Sequence, residues 1–220
     1  MKITNEIFQI GGKDLSFHQD GGSFLINFGG HAAIVDVGTG RGMDKLVNNI
    51  NECGVDPKQI EYLLMSHSHF DHVGGAKDFK TMAPCLTVAH ELTAQYLEQA
   101  DDVVTAAYAY KASLQPFFVD RKITGNREKI ELGGRIITAI HAPGHSPDSM
   151  AFFTESEGLK VLLAQDVFGP LDPIILSNRE DYLKSRHQMQ LLEADILCDG
   201  HCGIFKGKAV IKNYIESCLR

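Results

Sequence analysis

The segment Ser66-His67-Ser68-His69-Phe70-Asp71-His72 constrains this chain more than any other. It sets four metal-ligating side chains within six residues, directly after the apolar run Ile60-Glu61-Tyr62-Leu63-Leu64-Met65. His67 and His69 are two residues apart, so on extended backbone their rings leave the chain on the same side and can grip one ion. Asp71 and His72 follow a turn and can serve a second ion. Three further donors stand alone: His145 in Ala142-Pro143-Gly144-His145-Ser146, Asp166 after Leu163-Ala164-Gln165, and His201 in Asp199-Gly200-His201. Neutral imidazole suits zinc, iron and nickel, and a carboxylate can bridge two cations. Paired ions roughly 3.5–4 Å apart are the usual geometry of metal-assisted hydrolysis. Taken singly, each histidine would be an ordinary hydrogen-bonding residue. The H-x-H-x-D-H string, followed by three isolated strand-end donors, points instead to a centre that does chemistry.

The remaining sequence supplies a frame of strands and helices. Ile3 to Ile10, Ser23 to Phe28 and Ala32 to Val37 are short apolar or alternating runs broken by glycine pairs, and so predict strands. Leu46, Val47 and Ile50 lie at helical spacing within a helix expected over 43–53, and Ile60 to Met65 reads as a buried strand. Residues 91–114 carry the strongest helical pattern, with a possible break near Asp101-Asp102. Strands are expected at Ile130 to Leu132, Arg135 to His141, Met150 to Thr154, Lys160 to Ala164 and Ile196 to Cys198. Helices are expected over 181–192 and 206–219.

At 220 residues the chain reads as one domain, 1–220. A net charge of −7 gives no footprint for a phosphate backbone, so nucleic acid is not an expected partner. No apolar run is long enough to span a bilayer, and Met1-Lys2-Ile3-Thr4-Asn5-Glu6 lacks an export pattern. No membrane association and a cytoplasmic location are therefore expected. Five scattered cysteines fit reduced thiols. Cys198 and Cys202 flank His201, but their C-x3-C spacing has no second pair to close a tetrahedral zinc site. The oligomeric state is left open.

Asp36-Val37-Gly38-Thr39-Gly40, the H-x-H-x-D-H string, Gly144-His145-Ser146, Asp166 after its apolar strand and Gly200-His201 together resemble the metallo-β-lactamase-fold hydrolase superfamily, on its glyoxalase II-like and lactonase-like branch. The resemblance covers essentially the whole chain. It implies an α/β fold, a four-layer αβ/βα sandwich with two mixed sheets face to face. It also implies two divalent ions, zinc first and iron or manganese as alternatives. His67, His69 and His145 would hold one, Asp71, His72 and His201 the other, with Asp166 bridging. Asp36 matches a position that supports ligands from behind, although a simple turn-former is an equal reading of it. Gln165 stands where glycine is frequent, and Pro147-Asp148 where Pro-Gly is common.

The expected reaction is attack on a carbonyl by a hydroxide bridging the ions. Asp71 is the candidate catalytic residue, relaying a proton as well as ligating. If the segment 91–118 is a lid, Tyr108, Tyr110, Phe117 and Phe118 bind substrate; otherwise it covers a sheet edge. His141 reads as structural. Arg179, Arg186 and His187 read as a solvated helix face, with an anion-receiving role as the alternative. The substrate implied is a small-molecule ester, thioester or lactone. Within the superfamily, lactonases tend to carry tyrosine where this chain has Gly169, and glutathione thioesterases usually add a helical domain after the last ligand. The β-lactamases proper generally lack this pairing of Asp71 with a bridging Asp166. Di-iron electron-transfer members usually have glutamate at the place of His69. A mononuclear iron persulfide dioxygenase, using His67, His145 and Asp166, is the alternative enzyme. A metal-binding scaffold without catalysis is the remaining reading.

Overall fold

The computed structural model describes residues 1–218. Its first sheet contains β1 (Ile7–Gly11), β2 (Ser23–Phe28), β3 (His31–Val35), β4 (Ile60–Leu64), β5 (Leu86–His90) and β6 (Arg121–Ile123), side by side in that order. The first three are antiparallel, and β3 through β6 run parallel. The second sheet has the order β12-β11-β10-β9-β8-β7, from β7 (Arg127–Leu132), β8 (Arg135–His141), β9 (Met150–Ser156), β10 (Leu159–Ala164), β11 (Ile196–Asp199) and β12 (Gly203–Lys206). Only β10 and β11 are parallel in it.

Alternation along the strands builds four layers. Phe24 and Ile26 of β2 meet Val161 and Leu163 of β10 in a core between the sheets. Leu25 faces the other way, onto α1 (Met43–Glu52), α3 (Ala76–Met82) and α4 (Glu91–Gln99), where Leu46, Ile50, Phe79 and Leu97 close an outer core. Leu162 and Ala164 likewise face α5 (Arg179–Leu191) and α6 (Lys208–Cys218), meeting Tyr182, Met189, Ile211 and Ile215. With period two, central strands such as β2 and β10 are apolar on both faces because both faces are covered, whereas edge strand β7 leaves Arg127, Lys129 and Glu131 exposed. The molecule is the expected αβ/βα sandwich.

Some boundaries differ from expectation. The helix predicted through residue 114 ends at Gln99, where Ala100 takes a left-handed conformation (φ 52°). Asp101 Oδ1 then accepts the amides of Val103 and Val104, and Asp102 Oδ1 that of Leu114. Aspartate side chains that capture nearby amides compete with helix hydrogen bonds. Only a 3-10 turn, Ala107–Tyr110, follows. Strands β5, β6 and β12 were not anticipated. Leu219 of the predicted closing helix lies outside the described residues.

Candidate metal centre

Every expected ligand follows the carboxyl end of a strand. His67 and His69 lie past β4, His145 past β8, Asp166 past β10 and His201 past β11. Asp71 and His72 sit on α2 (Phe70–Val73), a single helical turn. The two sheets are fastened here by Met150 N to Ser66 O at 2.6 Å and Gly22 N to Gly200 O at 2.9 Å.

Three sets of donor atoms each converge within 4.8 Å: His67, His69 and His145; His67, His72 and Asp166; Asp71, His72 and His201. His69 Nδ1 lies 3.0 Å from His67 Nε2 and 2.9 Å from His145 Nε2, while His72 Nε2 faces His201 Nε2 at 3.1 Å. Asp166 lies between these sets. Its Oδ2 is 3.0 Å from His72 Nε2 and 3.6 Å from His67 Nε2, and its Oδ1 is 3.6 Å from His201 Nε2. His201 Nε2 is also 3.1 Å from Asp71 Oδ2.

The opposite ring atoms fix which nitrogens face inward. Ser66 Oγ donates to Asp36 Oδ2 at 2.6 Å, which leaves it an acceptor for His67 Nδ1–H at 2.9 Å. His72 Nδ1 donates to Asp36 Oδ2 at 3.0 Å, and His145 Nδ1 donates to the Pro170 carbonyl at 2.8 Å. All three Nε2 atoms therefore turn toward the cluster, the arrangement that outer partners impose on metal-ligating histidines. Asp36 also accepts the Ser66 amide at 2.8 Å and holds a left-handed φ of 58°. Asp148 Oδ2 accepts the amide of Ser68, between His67 and His69, at 2.8 Å and the Thr93 hydroxyl at 2.9 Å.

This donor set fits divalent ions. Asp166 Oδ2 is buried yet makes no hydrogen bond, despite standing against two imidazoles. Imidazole nitrogens aimed at one another at about 3 Å cannot all be donors. Burial, reinforced by neighbouring histidines, lowers the pKa of His67, and lowers that of His69 to about 4, keeping both neutral with lone pairs to give. Burial would lower His72 as well, but Asp71, Asp166 and Asp36 surround it and push its pKa well up. The carboxylates thus favour positive charge at this spot. Burial opposes ionisation of Asp166, yet His145, His72 and His201 hold its pKa well below the carboxylate range.

Arg186 was read as part of a solvated helix face or an anion receiver. The structure places it otherwise. It is 1% exposed, its Nη2 donates to the Asp166 carbonyl at 2.6 Å and its Nε to the Val167 carbonyl at 2.8 Å. Tyr182, Arg186 and Met189 recur at helical spacing on the buried side of α5, the signal that could have placed it. Asp199 is a second supporting residue that sequence reasoning missed. It accepts Val167 N at 3.0 Å through Oδ2, and the amides of His201 and Cys202 at 2.9 Å through Oδ1. Gln165 fills space that Gly200 leaves open, since a Cβ on Gly200 would lie 1.8 Å from Gln165 Oε1.

A cavity of about 500 Å³ opens over His69, Asp71, His145, Asp166 and His201. Of the four aromatic residues considered for substrate, the structure brings only Tyr110 to its wall, on the same cavity as Asp71. Tyr108 is half exposed outside it, Phe117 is buried in the core against α3 and α4, and Phe118 is 73% exposed. The lost helix explains this, because the chain past Gln99 follows turns rather than one amphipathic face. His90 and His141 stack at 4.0 Å and stand apart from the donors. The cysteines are free thiols.

Residues 21–201 match the family model of the metallo-beta-lactamase superfamily. With this sandwich and this donor set, the chain belongs to that superfamily of metal-dependent hydrolases. It is similar to the N-acyl homoserine lactonase of Bacillus cereus, 29% identical over 119 residues, 54% of this chain and 43% of that one. It is 31% identical over 163 residues, 71% of its length, to a Thermosynechococcus vestitus protein named as diflavin flavoprotein A 1, of which this covers 25%. The chain thus spans less than half the length of either relative. A subclass B3 metallo-beta-lactamase of Bradyrhizobium japonicum has the same fold, with TM-score 0.82 at 18% identity, covering 99% of this chain and 89% of that one.

Proposed function

We propose that this chain hydrolyses a small-molecule ester, thioester or lactone at a centre of two divalent ions, zinc first. His67, His69 and His145 would hold one ion and Asp71, His72 and His201 the other, with Asp166 shared. The observation that carries this reading is the hydrogen-bond-free Asp166 Oδ2 between sets of converging imidazoles. When bound, such ions acidify water and polarise a carbonyl oxygen.

The chain's own groups supply the rest. Asp36, Ser66 and the Pro170 carbonyl keep three imidazoles aimed inward. Burial opposes ionisation of Asp71, but His72 and His201 hold its pKa down, so it stands as an ionised carboxylate that would accept the proton given up by the attacking water and return it to the leaving group. The Tyr110 phenol, whose pKa burial and Asp71 raise, stays protonated and can donate to an oxygen of the substrate. The lactonase relative supports a hydrolytic reading. For this chain the proposed setting is cytoplasmic and the proposed partner a small-molecule substrate, with neither nucleic acid nor membrane.

Elemental analysis of untagged protein, paired with a screen of esters, thioesters and lactones, tests the proposal. Two metals per chain and turnover of one class are expected. One iron with oxygen consumption on a persulfide would instead favour the oxidoreductase reading.

A further inference from the structure

Beyond its metal-ligating residues, the cavity wall consists of Ala106, Ala109, Tyr110, Phe168, Pro170 and Ile175. Among the described residues, no lysine, arginine, amide or aliphatic hydroxyl side chain lines it. One wall residue, Phe168, is itself 61% exposed, so the apolar surface reaches solvent. Two guanidinium groups close to the site are committed elsewhere. Arg41 donates to the Tyr110 carbonyl at 2.6 Å and to Gln19, behind the wall. Arg186 is spent on the Asp166 and Val167 carbonyls.

We infer that the substrate carries an uncharged, apolar acyl chain next to its scissile carbonyl. This rests on the hydrolase reading above and narrows it. A second anionic group on the substrate would be desolvated against Ala109, Phe168 and Ile175 with no partner, which is costly. An alkyl chain in the same place exchanges water for Phe168, Pro170 and Ile175, and gains with each methylene removed from water. The segment carrying Phe168, Pro170 and Ile175 also carries the hydrogen bond from His145 Nδ1 to Pro170 O, so chain binding and donor geometry share one stretch of backbone.

The test is a series of straight-chain p-nitrophenyl esters and phenyl thioesters, from acetyl to decanoyl, with ω-carboxylated counterparts, on metal-loaded protein. In parallel, calorimetry measures binding of the corresponding linear carboxylic acids. Both kcat/KM and affinity should rise roughly two- to fourfold per methylene until the cavity is filled. The ω-carboxylated members should be poor, and Phe168→Ser or Ile175→Thr should lower the decanoyl-to-acetyl ratio about tenfold. A flat chain-length profile in both measurements, or equal use of ω-carboxylated substrates, overturns the inference. Chain-length-dependent binding with no hydrolysis of any ester or thioester would support the apolar site while overturning the hydrolase reading.

Discussion

Arg186 and Asp166 are joined through the main chain. The guanidinium donates to the Asp166 carbonyl at 2.6 Å, while Asp166 itself sits at φ 49°, a conformation that L residues seldom adopt. A fully buried cation on α5 therefore holds the ligand loop after β10 in its unusual shape. Arg186→Met should remove one of two donors from each carbonyl, since Gly169 N still serves Asp166 O at 2.9 Å and Tyr182 Oη still serves Val167 O at 2.7 Å, and should cost about 2–3 kcal/mol of stability. Arg186→Lys should recover only part, because one ammonium lacks the fork that spans both carbonyls. Urea unfolding and metal content, measured on the same preparations, check both expectations.

Gly169 leaves no room for a side chain. A Cβ there would lie 2.5 Å from His145 Nδ1, the atom that bonds to Pro170 O. Gly169→Ala should turn the His145 ring and weaken metal binding about 10- to 100-fold, the scale on which outer partners matter. Competition against a chromophoric chelator reads that change directly, and retention of affinity would refute it.

His201 belongs to only one of the three donor sets, whereas His67 belongs to two. His201→Ala should therefore keep one equivalent of metal, while His67→Ala, or Asp166→Ala, which removes the carboxylate that faces His67, His72 and His201 together, should deplete the centre and abolish turnover. Losing one ion should slow hydrolysis on the order of 10²-fold or more, since each cation is worth several kcal/mol in the transition state. Native mass spectrometry distinguishes one bound ion from two.

His90 makes stability depend on pH. Burial, then the stacked His141, lowers its pKa from the ordinary 6.5, with Asp148 and Glu91 opposing more weakly. Its Nδ1 caps α4 by accepting the Leu92 amide at 3.3 Å, which a protonated ring cannot do. A histidine held neutral by the fold contributes no penalty above pH 6.5. Below that, the unfolded chain takes up a proton that the folded one resists, so stability falls as pH drops toward the lowered pKa. His90→Asn keeps a capping oxygen without a titrating ring. Relative to this variant, wild type should lose ground between pH 8 and pH 5, as read by denaturant midpoints.

The layer arrangement was legible because strands covered on both faces leave apolar runs, as in Ser23–Phe28 and Leu159–Ala164. The seven candidate ligands stood out because the H-x-H-x-D-H string packs four donors into six residues and isolated donors follow at His145, Asp166 and His201. The segment from Glu91 misled because its apolar residues keep helical spacing past Gln99, while Asp101 and Asp102 redirect the backbone through side-chain bonds that periodicity ignores. Leu86–His90 escaped notice because five residues bounded by a helix give little pattern. Arg186 stayed hidden because a basic residue on a helix defaults to solvent, and only its register with Tyr182 and Met189 said otherwise.

Each converging set draws two donors from the chain before β7 and one from the chain after it. An ion held by any of them is a rivet through the seam between the halves, not an ornament of either. Two polypeptides divided at the loop between β6 and β7 would each carry donors but no complete triad, and divalent cation would become the reagent that rejoins them.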